Sequence, residues 1–79
     1  MNTREQIQLI IGRRCEEYIT AMFDIAKENY LNGISQRAIN EYSSILIDKS
    51  LNLQLRVAFL HPSEQEEMYD AYLRGGVEL

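Results

Sequence analysis

The sequence predicts an all-α domain: a long antiparallel helical hairpin and a short third helix, which dimerises with a second copy into a helical bundle. Three observations predict this fold class. Apolar residues recur every three or four positions through two long segments, the turn sequence LNG separates those segments, and Pro62 introduces a short segment with an acidic start. A chain of 79 residues forms one domain, 1–79, and buries little surface by itself. We therefore expect self-association.

The first helix is predicted over about residues 4–30. Thr3 is the predicted N-cap, with Gln6 at the spacing of a capping box. The helix should end near Tyr30, with the stop at Asn32 or Gly33. Two adjacent apolar rows make one broad face, with Ile11, Cys15, Tyr18, Met22 and Ile25 in the first row and Ile19, Phe23, Ala26 and Tyr30 in the second.

The second helix is predicted over about residues 36–60, with Ser35 as its N-cap. Two separate apolar stripes run along it. One contains Ile39, Tyr42, Leu46, Leu53, Val57 and Leu60, and the other contains Ile47, Leu51, Leu55 and Ala58. The remaining residues form a narrow polar strip of Glu41, Asp48, Lys49, Asn52 and Arg56. One hairpin cannot cover both stripes, whereas a second copy of the chain could.

A small α+β domain is the alternative fold. Leucines, a valine and a phenylalanine alternate strictly in SLNLQLRVAF, which is the period of a half-buried strand, and QIQLII near the start could pair with it. Helix is the favoured interpretation of residues 51–59, because most of the alternating residues are leucine and not β-branched.

The third helix is predicted over about residues 64–73. His61 and Pro62 end the second helix, since the residue before proline avoids the helical region. Ser63 and Glu66 have the spacing of a capping box. Glycines stop this helix, and residues 75–79 should form a loose tail.

Charge and composition exclude several classes of function. Residues 1–61 balance seven basic against seven acidic side chains, so the net charge of −4 lies after Pro62. Such a chain lacks the basic face that nucleic acid requires. No apolar run reaches the roughly 18 residues of a membrane helix, and no secretory signal opens the sequence. A cytoplasmic protein is expected.

With a single cysteine, Cys15, and a single histidine, we expect no disulfide, metal site or cofactor. Cys15 is interpreted as a small core residue.

Ser44 and Asp48 form the one constellation with catalytic potential. At i,i+4 spacing on a helix, a hydroxyl and a carboxylate can approach one ligand. The order S-x-x-I-D, after a first helix that ends DIAKENYLNG, resembles the small sporulation aspartyl-phosphate phosphatases, which typically carry S-Q-E-L-D. Over roughly residues 14–52, the resemblance implies that Asp48 removes a phosphoryl group from a response regulator and that Ser44 supports it. The chain departs from the motif at Leu46 and Ile47.

The favoured function is nevertheless that of a small regulator, inhibitor or adaptor that binds another protein. Tyrosine suits interfaces because its ring packs while its hydroxyl stays hydrogen-bonded. The predicted interface residues are Tyr42, Leu46, Leu53, Val57, Tyr69 and Tyr72. No catalytic residue belongs to this interpretation. The alternatives are the phosphatase that uses Asp48 and a structural subunit of a larger assembly.

Overall fold

The computed structural model describes residues 1–28 and 33–76, with the side chains of residues 33–35 left out of that description. Three helices make up the fold: α1 over Thr3–Glu28, α2 over Gly33–Ala58 and α3 over Pro62–Leu73. The part of the chain that is described contains no strand, so the all-α prediction is confirmed. The α+β alternative is wrong, because residues 51–58 continue α2 without interruption.

Helices α1 and α2 pack antiparallel along most of their length. Near one end of the pair, the Gln8 side-chain amide donates a hydrogen bond of 2.8 Å to the backbone carbonyl of Gln54. Helix α3 then folds back onto the first half of α1. There the Thr3 hydroxyl donates to a carboxylate oxygen of Glu66 at 2.6 Å. The third helix is thereby fixed to the beginning of the first.

The cap of α1 differs from the prediction. Asn2, not Thr3, is the capping residue: its Oδ1 accepts a hydrogen bond from the Glu5 backbone N–H at 2.8 Å, and its carbonyl accepts from the Gln6 N–H. Two good capping residues stand side by side, and either satisfies a free N–H group of the first turn. Because Thr3 binds Glu66 of α3, Asn2 serves as the cap.

The capping box predicted at Ser63 and Glu66 is also wrong. The N-cap of α3 is His61, whose Nδ1 accepts from the Ser63 backbone N–H at 3.2 Å. Pro62 occupies the first helical position, where its fixed φ angle suits the helix and its missing N–H costs nothing. The helix therefore starts before Ser63, and the Glu66 carboxylate is engaged with Thr3.

The other predicted helix ends agree only in part with those of the structure. Helix α2 begins at Gly33, so Ser35 lies inside the helix and not at its cap. The predicted end near Tyr30 and the stop at Asn32 lie outside the described residues, as do residues 77–79 of the predicted tail. At the other end of α3, Gly75 adopts a left-handed φ of 75°, consistent with the predicted glycine stop.

The hydrophobic core is small and lies where the three helices meet. Ile7 and Ile11 of α1 contact Val57 of α2, and Met68 and Tyr69 of α3 pack against this cluster from the side. Ile7 is fully buried. Ala26 is buried separately, further along α1. Packing around Ile7 therefore holds the helices together at one end of the hairpin.

Small polar residues form the remaining contact of α2 with α1. Among the side chains of α2 that the structure describes, residues 36–58, the buried ones are Ser43, Ser50 and Val57, which recur every seven positions on one side of the helix. Small side chains let two helices approach closely. Ser50 Oγ accepts a hydrogen bond from the Gln54 amide at 3.1 Å. The hydroxyl of Ser43 has no hydrogen-bond partner among the described residues.

Replacement of the two buried serines by alanine should affect the free energy of unfolding differently. Ser43→Ala should raise the free energy of unfolding by about 0.5–1 kcal/mol, because it removes an unpaired buried hydroxyl and improves helix propensity. Ser50→Ala is the matched control and should be neutral or lower stability by up to about 1.5 kcal/mol, because Gln54 loses its acceptor. Urea unfolding followed by circular dichroism measures both. A Ser43→Ala protein less stable than the wild type would contradict this account.

Candidate protein-interaction surfaces

Helix α2 directs its small polar side towards α1 and leaves most of its large apolar side chains in water. Among its described side chains, the exposed large apolar ones are Tyr42, Ile45, Ile47, Leu51, Leu53 and Leu55, with exposed fractions from 46% to 57%. Phe59, just after the helix, is 81% exposed. Scattered exposed apolar residues are normal, but rows of them along one helix mark an interaction site. The second predicted stripe, Ile47, Leu51, Leu55 and Ala58, is exposed along its length, whereas the first is exposed only at Tyr42 and Leu53.

The first exposed surface lies on one flank of α2, and we call it the outer face. It consists of Tyr42, Ile45, Lys49, Leu53 and Arg56, which follow one another at intervals of three or four residues and so share one side of the helix. A shallow depression of about 220 Å³ lies between Lys49, Asn52, Leu53 and Arg56. The outer face thus combines apolar side chains with two cationic ones.

The second exposed surface lies on the opposite flank of α2, and we call it the groove. It runs between α1 and α2, has a volume of about 440 Å³, and has walls formed mainly by Ile19, Ile47 and Leu51. Smaller side chains line the space between these walls. The described lining is Gly12, Cys15, Glu16, Ile19, Thr20, Ile47, Ser50, Leu51 and Gln54. Glu16 is the one charged residue in this set.

Gly12 brings the groove wall of α1 close to α2. A β-carbon placed there would lie 3.4 Å from the side-chain amide nitrogen of Gln54. Cys15, predicted as a core residue, is instead partly exposed and lines the groove with its free thiol. The close approach of the helices and the small side chains together give the groove its depth.

The predicted interface residues do not share one surface. Tyr42 and Leu53 lie exposed on the outer face, and Leu46 is half-buried. Val57 is only 4% exposed and belongs to the core, because it lies at the edge of the first stripe, where it packs with Ile7 and Ile11 of α1. The prediction that Val57 contacts a partner is therefore wrong for this structure.

The two predicted tyrosines of α3 are both half-buried. Tyr69 packs against the core cluster and so holds α3 in place. Sequence reasoning left Ile45 out of both apolar stripes, and it placed Ile47 and Leu51 in a stripe without assigning them to an interface. The sequence signal that could have identified Ile45, Ile47 and Leu51 as surface residues is the spacing of Ser43, Ser50 and Val57 at intervals of seven positions, because it marks the side of α2 that faces α1.

Ser44 and Asp48 lie exposed on α2, away from α1. The Ser44 hydroxyl donates a hydrogen bond of 3.2 Å to the backbone carbonyl of Asn40. Serine hydroxyls inside helices commonly bond the carbonyl four residues earlier. The described contacts therefore place Ser44 against its own helix backbone and do not join it to Asp48.

The described residues also limit which other sites can be built. Residues 1–28 and 33–76 contain no cluster of three or more histidine, cysteine, aspartate or glutamate side chains that could hold a metal ion. Within the same ranges, none of the helices has the length and apolar character needed to cross a bilayer.

These features define the class of the molecule as a small all-α protein, a helical hairpin with a third helix docked at one end. Comparison of the chain with protein-family models, curated proteins and solved structures finds no match.

Proposed function

We propose that this protein is a small regulator, inhibitor or adaptor that binds another protein through the outer face of α2. One observation carries the proposal: α2 buries serines against α1 while Tyr42, Ile45 and Leu53 remain about half exposed in a single row. Burial of large apolar and aromatic side chains supplies most of the binding energy in protein interfaces.

The charges on the outer face indicate the kind of partner. Lys49 lies within the apolar row, between Ile45 and Leu53, and Arg56 lies at its end; both line the depression beside Leu53. Complementary charge at the rim of an interface increases the association rate and selects the partner. An amphipathic helix or groove that combines acidic residues with apolar ones fits this surface.

Capture experiments with matched variants test the proposal. Wild type, Leu53→Asp and Asp48→Ala are immobilised side by side in lysate of the source cells, and bound proteins are quantified by mass spectrometry. A specific partner should be retained by wild type and Asp48→Ala, and its retention should fall at least about tenfold with Leu53→Asp, equivalent to about 1.4 kcal/mol. Far-UV circular dichroism confirms that each bait is folded.

The role of charge is measured on the same partner once it is purified. Lys49→Glu with Arg56→Glu should weaken binding, and raised salt should weaken wild-type binding, because screening reduces the attraction between exposed charges. If every captured protein bound the Leu53→Asp bait as well as the wild type, the outer face would not be the binding surface.

The phosphatase alternative is tested by the same set of baits. Recovery of a response regulator whose phosphoaspartate is lost with wild type, but not with Asp48→Ala, would assign catalysis to Asp48. In a binding module, Asp48→Ala should change little, because the Asp48 side chain is exposed outside both surfaces.

A further inference from the structure

We infer that the groove between α1 and α2 is occupied by the same groove of a second copy of this chain, which leaves the outer face free for the heterologous partner. The inference is separate from the proposed function, because Ile47 of the groove and Ile45 of the outer face lie about 200° apart around α2. Either surface can therefore act without the other.

The exposed area of the chain supports this assignment. One chain exposes 6016 Å², whereas a compact monomer of the same mass, 9.2 kDa, exposes about 4,900 Å². The excess of about 1,100 Å² exceeds the area of about 800 Å² that each partner buries in a stable interface of standard size. One additional contact of ordinary size would thus remove most of this excess.

The radius of gyration, like the exposed area, is larger than that of a compact monomer. The radius of gyration is 15.4 Å, whereas a compact domain of this length has a radius of about 12 Å, and a domain of twice the length has one of about 15 Å. Two hairpins that share a groove would form a four-helix bundle, the common way for helical hairpins to bury an apolar side.

The chemistry of the groove selects a second copy over a charged partner. Ile47 and Leu51 project from one wall, while Gly12, Cys15 and Ser50 leave room between the walls. In a two-fold arrangement the projecting side chains of each copy meet the small residues of the other, since an isologous interface uses the same surface twice. Interfaces between identical chains are also more apolar at their centre than other interfaces, and Glu16 is the one charged residue among the described lining.

Analytical ultracentrifugation of purified variants tests the inference. Ile47→Asp and Ile45→Asp are a matched pair, with the same residue type, the same helix and nearly equal exposure of 46% and 49%. Wild type and Ile45→Asp should sediment as a dimer of about 18 kDa, twice the 9.2 kDa of one chain. Ile47→Asp should weaken dimerisation at least about tenfold.

The native thiol of Cys15 gives a second measurement, whose main result comes from the wild type alone. Because Cys15 lines the groove, its reaction with a water-soluble thiol reagent should slow as wild-type concentration rises and dimers form. With Ile47→Asp the rate should not depend on protein concentration. This measurement stays informative if the Ile47→Asp protein is unstable.

Three results would overturn the inference. The first is a wild type that remains monomeric at high micromolar concentration. The second is a dimer that Ile45→Asp disrupts and Ile47→Asp does not. The third is continued growth into larger species, which would indicate an open assembly and a structural subunit. A failed partner capture would affect the proposed function alone, because this test uses the purified chain.

Discussion

Ile7→Ala should lower the free energy of unfolding by about 2–5 kcal/mol, the usual cost of truncating a fully buried isoleucine. Ile7 has no exposed surface, and its side chain joins Ile11 and Val57 in the core cluster against which α3 packs. A domain of 79 residues has a total stability of about 4–12 kcal/mol. Loss of one side chain would therefore remove a large part of it.

Thermal unfolding followed by circular dichroism measures this effect. A loss of about 2 kcal/mol lowers the midpoint by about 8 °C or more in a domain of this size. Ile7→Val should cost only about 0.5–1.5 kcal/mol. Ile25→Ala, in the same helix at a position 58% exposed, is the control and should change the midpoint little. Equal midpoints for Ile7→Ala and Ile25→Ala would show that the core does not lie where the three helices meet.

The sequence predicted the number, type and order of the helices because their apolar periodicity is long and regular. It located the helix starts less well. At Thr3 and Ser63 a plausible capping residue has an equally plausible neighbour, Asn2 in one case and the His61–Pro62 pair in the other. The Thr3 hydroxyl is engaged with Glu66 in a tertiary contact that no local pattern contains, and at α3 the local His61 cap with Pro62 at the first helical position takes the place of Ser63.

The side of α2 that faces α1 was harder to predict for a different reason. Apolar periodicity assigns the interior to the largest apolar residues, and in α2 these form two stripes. The structure places Ser43 and Ser50, which lie between the stripes, against α1 together with Val57 of the first stripe, because small side chains permit a close approach. The second stripe is then left exposed and the first is only partly covered, which is why periodicity did not show that Val57 is buried.

Replacement of Gln65 by methionine should detach α3 from the end of α2 and lower the free energy of unfolding by about 1–3 kcal/mol. Gln65 is buried, and its side-chain nitrogen donates hydrogen bonds to the carbonyls of Val57 at 2.8 Å and Leu60 at 3.3 Å. The last carbonyls of a helix have no partners within that helix. The Val57 carbonyl accepts from the Leu60 backbone N–H at 3.1 Å, and Gln65 adds a second donor from the following helix.

Methionine keeps nearly the length and volume of glutamine but cannot donate a hydrogen bond, so it tests the amide and not the packing. Glu67→Met, at an exposed position of the same helix, controls for the added methionine and should change stability little. Urea unfolding measures the loss, and amide hydrogen exchange locates it, since a detached α3 should exchange faster than α1 and α2. If Gln65→Met matched Glu67→Met in both measurements, the packing of Met68 and Tyr69 against Ile7 and Ile11 would suffice to hold α3. The two amide hydrogen bonds would then add nothing measurable to the fold.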